Sequence, residues 1–302
     1  MKRVLNFGSI NVDHVYTVEH FARPGETVSC LEYRKFAGGK GLNQSIALAQ
    51  AGACVYHAGK VGAEDTWLRT LMDDKGVDTR FVETINGPSG HAIIQVNAAG
   101  ENSIVIAGGA NQLMSESDVQ RIVADFGPDD YLLVQNEVNA VPSMIQSAKA
   151  KGLTIVFNPA PMNPQVLNYP LELVDILVVN ETEARSLTGE IQPVCIYETF
   201  NHRYPPMAIV LTMGKKGAGY YSSQVRFHQP GEKVDVVDST GAGDTFIGFF
   251  LAELIKTGDP KAALGFATRA ASICVTRHGA ADSIPSRKEL ELLNPGKISY
   301  FN

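Results

Sequence analysis

Short apolar, β-branched runs alternate along the chain with segments of helical period. That alternation restricts the fold more than any other feature. The runs cover residues 3–7, 55–60, 131–135, 154–157, 175–179, 208–212 and 234–237. The helical patterns cover 42–51, 65–75, 117–125, 141–151, 181–187, 245–256 and 260–276. Parallel strands need a long crossover between them, and a helix supplies it. The pattern therefore predicts an α/β fold: a mostly parallel central sheet with helices on both faces. Several runs are apolar at consecutive positions, as strands covered on both faces must be.

Two regions break the alternation. Residues 14–36 read as extended chain with a turn at Arg23-Pro24-Gly25-Glu26, and 91–106 read as a hairpin around Gly100-Glu101-Asn102. Together they fit either a small sheet standing off the main layer or an ordinary edge hairpin. Residues 192–204 hold aromatics and prolines without a clear period. There is no internal repeat and no low-complexity linker, so one α/β unit over 1–302 is expected.

The balance of 26 basic and 32 acidic residues gives a net charge of −6. An acidic chain lacks the basic surface that nucleic-acid binding needs. A local phosphate site remains compatible, because a few backbone amides suffice to hold phosphate. Cys30, Cys54, Cys195 and Cys274 are widely spaced and form no C-x-x-C, which argues against a disulfide scaffold or a cysteine zinc site. No apolar run approaches the roughly 20 residues of a membrane span. The first residues break at Asn6 and Gly8, too early for the apolar core of a signal peptide. A soluble, cytoplasmic protein is expected.

The strongest local signal is Asp238-Ser239-Thr240-Gly241-Ala242-Gly243-Asp244-Thr245, between the run 234–237 and a helix that is apolar nearly all round. Gly241 and Gly243 permit a tight turn and close approach of a ligand. The free amides and dipole of the helix start favour an anion there. Asp244 beside that anion can accept a proton from an attacking alcohol. The same residues also read as an Asp cap with glycines for the turn.

Three further clusters carry polar chemistry at element starts. Gly38-Gly39-Lys40-Gly41-Leu42-Asn43-Gln44 leads glycines into a helix and suits a polyhydroxylated or anionic group, or a plain glycine connection. Asn180 and Glu183, three apart at a helix start, can orient water around Mg²⁺ or simply cap the helix. Asn11 and Asp13 share one side of an extended segment and can meet sugar hydroxyls, or serve a turn. The phosphate loop G-x-x-x-x-G-K-[ST], the dinucleotide motif G-x-G-x-x-G, the elbow G-x-S-x-G and any H-x-x-x-H pair are all missing from the sequence.

In this order the motifs resemble the ribokinase-like (PfkB) carbohydrate kinase family. The resemblance runs from Gly8 to about Glu289. It rests on Gly8-Ser9-Ile10-Asn11-Val12-Asp13-His14, Pro24-Gly25-Glu26-Thr27, Gly38-Gly39-Lys40-Gly41-x-Asn43-Gln44 and Asn158-Pro159-Ala160-Pro161. It continues through Asn180-Glu181-Thr182-Glu183-Ala184, Leu211-Thr212-x-Gly214-x-x-Gly217, Asp238-x-Thr240-x-x-Gly243-Asp244 and Val275-Thr276-Arg277-x-Gly279-Ala280. It implies a β-sheet lid built from the segments near 14–36 and 91–106, and a homodimer formed through that lid. The implied reaction is ATP-dependent phosphorylation of a small sugar, ribose to ribose 5-phosphate before other sugars, sugar acids or nucleosides.

The roles implied by the resemblance fall on named residues. Asp244 would be the general base, with Gly241, Ala242 and Gly243 forming an anion hole. Asn11, Asp13, Gly39, Lys40, Asn43 and Glu137 would hold the sugar. Asn180, Thr212, Gly214 and Gly243 would border the nucleotide, with 265–272 against the adenine. Asn180 and Glu183 would organise Mg²⁺ through water. Asp238, Thr240, Cys274, Arg277, Gly279 and Ser283 would form a site for K⁺, largely through carbonyl oxygens. The stretch between Gly189 and Ala208 is shorter than the helical segment the family carries there. A non-catalytic sugar-binding protein stands as the rival of a different class, against which Asp244 and the intact glycine loop argue. A nicotinamide-dependent oxidoreductase lacks its glycine fingerprint.

Overall fold

The computed structural model describes residues 2–292, so the ends of the expected unit 1–302 lie outside the described residues. In chain order the strands are β1 (Arg3–Phe7), β2 (Asn11–Thr17), β3 (Glu32–Gly38), β4 (Cys54–Gly62), β5 (Asp78–Ile85), β6 (Gly90–Val96), β7 (Asn102–Ala107), β8 (Tyr131–Gln135), β9 (Thr154–Asn158), β10 (Ile176–Asn180), β11 (Ala208–Thr212), β12 (Ala218–Tyr221) and β13 (Arg226–Gln229). The helices are α1 (Lys40–Gln50), α2 (Trp67–Asp74), α3 (Glu116–Val123), α4 (Val141–Ala150), α5 (Glu181–Thr188), α6 (Pro193–Arg203), α7 (Ala242–Thr257), α8 (Pro260–Cys274) and α9 (Arg287–Leu292).

The strands form two sheets. The larger runs β13-β12-β11-β10-β9-β8-β1-β4-β5 and is parallel from β11 to β5. Only β12 and β13, at one edge, run antiparallel. The chain builds outward from β1 in both directions, so β1 and β8 flank the point where the winding reverses. Open α/β sheets bind ligands beyond the strand ends at such a point.

Successive side chains of the central strands enter opposite cores. Leu133, Val156, Val178 and Val210 pack with Leu42 and Ile46 of α1 and the apolar side of α7 and α8. Leu132, Val134, Ile155, Phe157, Leu177, Ile209 and Leu211 pack with α3 to α6 on the other face. This two-sided burial explains the unbroken apolar runs.

The second sheet runs β3-β2-β6-β7, with β2 and β6 parallel and the outer pairs antiparallel. It takes up both regions that broke the alternation, as a separate small sheet. The chain crosses from β1 to β2 through Gly8, Ser9 and Ile10, which joins this sheet to the reversal point of the large one.

Some expectations need correction. Residues 234–237 form no strand; Val236 and Val237 are half-exposed, and Val237 N–H bonds Val275 O at 2.8 Å. A β-branched composition alone makes no strand where no neighbouring backbone continues the ladder. Residues 192–204, which showed no period, hold α6, a helix that buries Ile196, Tyr197 and Phe200. β5 escaped detection because Asp78, Arg80 and Glu83 interrupt it, charges that an edge strand tolerates.

Candidate active site

The parallel strands end on polar residues. Asn158 closes β9, Asn180 closes β10 and Thr212 closes β11, while Glu137 follows β8 by two residues. The ladder sets Asn180 beside Thr212 and Asn158 beside Gln135. Beyond these ends opens a cleft of about 220 Å³. Its walls include Lys40, Asn180, Glu183, Thr212, Gly243 and Asp244. Six residues from four separate sequence motifs thus meet in one place.

Asp244 lies in the first turn of α7. Gly241 caps that helix in the left-handed region, φ 75°, where a Cβ would press on Ala280. Gly241 is therefore the cap, and the Asp244 side chain is freed for other partners. Its carboxylate accepts from Asn43 Nδ2 at 3.1 Å and from Gln44 Nε2 at 2.9 Å. Burial pushes the Asp244 carboxyl up; Lys40 and these two amides oppose the shift. Gly241 and Gly243 face the cleft. Ala242 N–H donates to Ser239 O at 3.3 Å, which helps close the loop.

The start of α1 supplies the facing wall. Gly39 holds φ 94°, and a side chain there would crowd Ser9 O and Asn11 N. Glu137 Oε2 accepts from Ser9 Oγ at 2.5 Å and from the Lys40 backbone N–H at 2.9 Å, which ties β8 to the glycine turn. The Lys40 ammonium is held up chiefly by Asp244, against burial. Asn11 and Asp13 occur on β2, which leaves the same strand ends. Asp13 is raised to about 6 by burial and by the nearby charge of Glu137.

Asn180 and Glu183 form a reciprocal cap of α5. Asn180 Oδ1 accepts from Glu183 N at 2.9 Å, and Glu183 Oε2 accepts from Asn180 N at 3.0 Å. The cap does not remove them from the cleft, which both residues line. Burial raises the Glu183 carboxyl. An anionic oxygen donor beside a polar amide fits a hard divalent cation held through water. Gly214 begins a turn just past β11, and 265–272 lie inside α8; neither is part of the cleft wall.

The expected monovalent-cation residues also gather. Asp238 accepts from Thr240 N and Oγ1 at 2.9 and 2.7 Å, and from Gly279 N at 3.0 Å. Cys274 Sγ lies 3.0 Å from Ser283 Oγ and 3.9 Å from Thr240 O. Arg277 turns its guanidinium to Glu289 at 2.7 Å, so it has only its carbonyl to offer. A loop rich in carbonyl and hydroxyl oxygen suits a weakly hydrated monovalent ion. Among the described residues no three His, Cys, Asp or Glu side chains form a metal cluster.

Two groups of neighbouring polar residues received no role from the sequence, although Gln44 and Asn158 fall inside its motifs. Asn111 donates to Asn11 Oδ1 at 2.6 Å and accepts from Ile10 N at 3.0 Å, which orients Asn11. Behind the cleft, Asn6, Gln44, Ser45, His57 and Gln135 form a buried polar network that reaches the cleft wall at Asn158. His57 is lowered to about 4 by burial, so it stands neutral there. No spacing rule links residues 6, 44, 135 and 158; only the sheet order brings them together.

Comparison with known proteins agrees with this geometry. The pfkB family carbohydrate kinase profile matches residues 1–287. The ribokinase of Staphylococcus aureus (strain COL) is 38% identical over 299 residues, covering 95% of this chain and 98% of that protein. The ribokinase of Haemophilus influenzae is 37% identical, covering 97% and 99%. The solved structure of Arabidopsis thaliana ribokinase complexed with ribose and ATP superimposes with a TM-score of 0.87 at 31% identity, covering 97% and 98%. The family match spans both sheets and every motif that lines the cleft, and the chain belongs to the pfkB family of carbohydrate kinases.

Proposed function

We propose that this carbohydrate kinase transfers the γ-phosphoryl group of ATP to a hydroxyl of a small sugar, ribose to ribose 5-phosphate first. The observation that carries the reading is Asp244: a buried carboxylate, hydrogen-bonded on both oxygens, at the positive start of α7 and beside Lys40. The ribose and ATP held by the Arabidopsis relative support the choice of substrates.

Asn11, Asp13, Gly39, Lys40, Asn43 and Glu137 bind the sugar and aim one hydroxyl at Asp244. They offer amides, carboxylates and an ammonium but no aromatic clamp, which favours a polyol over a nucleoside. Asp244 accepts the hydroxyl proton as the oxygen attacks the γ-phosphorus. Negative charge spreading over the phosphoryl oxygens meets the α7 start, where Gly241 and Gly243, which line the cleft, form the anion hole together with Ala242, whose N–H leaves Ser239 O for the phosphoryl group. Asn180 and Thr212 border the nucleotide phosphates from the cleft wall, and Gly214 would reach them only from the turn just past β11. Mg²⁺, held through water by Asn180 and Glu183, supplies charge neutralisation on the phosphates when bound. The loop of Asp238, Thr240, Cys274, Arg277, Gly279 and Ser283 would hold K⁺, largely through carbonyl and hydroxyl oxygens, and the ion would supply positive charge that steadies the loop leading into α7.

The small sheet serves as the lid over the sugar. Its Leu31, Tyr33, Ile104, Val105 and Ile106 are exposed, and a second copy of the chain would cover them in a homodimer. No helix of the described residues is long and apolar enough to cross a membrane.

The test is sugar-dependent ADP release with Mg²⁺ and K⁺ across ribose, deoxyribose, fructose, tagatose, a keto-deoxy sugar acid and adenosine. Ribose is expected to give the largest kcat/KM. Asp244→Asn should lose about 10²-fold or more in kcat, the scale of removing a general base. Near-full kcat in that variant would refute the role of Asp244. A larger signal with another sugar would refute ribose and leave the mechanism.

A further inference from the structure

We propose that Gln44 is a positioning residue for Asp244, presented in one amide orientation by a buried relay that starts at two backbone carbonyls. The inference rests on the reading of Asp244 as the base.

The first branch starts at Gly41 O. A carbonyl only accepts, so Asn6 must turn its Nδ2 toward it, at 2.9 Å. Asn6 Oδ1 then faces Gln135 and accepts from its Nε2 at 2.9 Å. The same Gln135 Nε2 donates to Gln44 Oε1 at 2.7 Å. Gln44 is left with only its Nε2 to offer toward Asp244, and donates to Asp244 Oδ1 at 2.9 Å.

The second branch starts at Val178 O and reaches the same answer. Asn158 Nδ2 donates to Val178 O at 2.9 Å, which turns Asn158 Oδ1 toward Gln44. Gln44 Nε2 donates there at 3.3 Å. A reversed Gln44 amide would set oxygen against Asp244 Oδ1 and Asn158 Oδ1, and nitrogen against Gln135 Nε2. All four relay side chains are at most 5% exposed, so water cannot rescue the wrong orientation.

The consequence is chemical. Asn43 bonds Oδ2 and Gln44 bonds Oδ1, so the carboxylate plane is fixed and each oxygen keeps one free lone-pair direction. The sugar hydroxyl meets a base that has no rotation left to lose. Gln44 is fully buried, with both ends of its amide already taken by Gln135, Asn158 and Asp244, so it acts through Asp244 and not on the substrate.

The experiment is steady-state kinetics on Gln44→Met, which keeps the volume and removes the amide, alongside Asp244→Asn, with thermal unfolding of each. The expected result is a fall of about 10- to 100-fold in kcat, the scale of losing a hydrogen bond to a charged group. The KM values for sugar and ATP should stay within about threefold. A role limited to filling space would lower the melting temperature and leave kcat within about twofold, which would overturn the proposal. Equal losses in kcat and sugar affinity would overturn it too, by placing Gln44 in binding. If Gln44→Met does not fold, Gln135→Met combined with Asn158→Leu decides the matter: together they remove both partners that set Gln44, and a kcat within about twofold of the parent in the double variant refutes the relay. If Asp244→Asn loses its kcat while Gln44→Met keeps it, only this inference fails. If Asp244→Asn keeps its kcat, the base and the relay fail together.

Discussion

Asp13→Asn should make the protein more stable and a poorer kinase, with the gain in stability confined to one pH range. Asp13 stands on β2 paired with Phe36, and its carboxylate reaches the end of β3, where any side chain at Gly38 would overlap it. Burial, then the charge of Glu137, raises its pKa from the ordinary 3.8 to about 6. At about 1.4 kcal/mol per pH unit, that rise means the ionised group costs the fold about 3 kcal/mol. The sign follows from proton counting. Between 3.8 and about 6 the folded state holds more protons than the unfolded one, so parent stability falls as pH rises through that range. Above about 6 the cost is complete, and below 3.8 it is gone. The neutral amide escapes it. Denaturant unfolding should therefore find Asp13→Asn more stable by up to about 3 kcal/mol at pH 8, with the difference vanishing near pH 4. Sugar KM should rise about tenfold or more, because a charge-assisted acceptor is lost. A variant no more stable than the parent at pH 8, or a gain that does not change with pH, would refute the reasoning.

Gly248→Ala should destabilise the fold by about 1–3 kcal/mol, because the added methyl would overlap Ala47 where α7 meets α1. Residues 244 and 248 are one turn apart, as are 43–44 and 47–48, so kcat should fall with it; unchanged denaturant midpoint and kcat would count against this contact. Activity should rise with K⁺ over an equal concentration of Na⁺ if the loop around Asp238 and Cys274 holds a monovalent ion, and equal rates would remove that assignment.

The large sheet was legible because its strands are buried twice. Consecutive apolar residues such as Leu132, Leu133 and Val134 leave no other element of that length, and the glycines and helix starts after them mark the crossovers. The illegible pieces are those whose stability comes from neighbours. Residues 234–237 have strand composition and no ladder. β5 has a ladder and an edge strand's charges. α6 matches α1 in length but buries only Ile196, Tyr197 and Phe200, too few to give a period. Composition reports what a segment can bury, and none of these three is decided by that.

The site divides along the same line. Lys40, Asn43, Asn180, Glu183 and Asp244 announce themselves, because each stands at a helix start next to glycines or a strand end, where a polar residue has local reasons to be. Gln44 belongs to the same motif yet gave no role, since its reason is 91 residues away at Gln135 and 114 away at Asn158. Asn111 is likewise 100 residues from the Asn11 that it turns. The residues proposed to touch the substrate are clustered by local backbone geometry, which a sequence displays. Residues that aim them are clustered by strand order, which reverses between β1 and β8 and so brings Asn6, Gln135 and Asn158 onto adjacent strands. On the proposed reading, the aim of Asp244 depends on the part of the molecule least visible from its sequence, and a loss of kcat when Gln135→Met and Asn158→Leu are combined is the direct measure of that dependence.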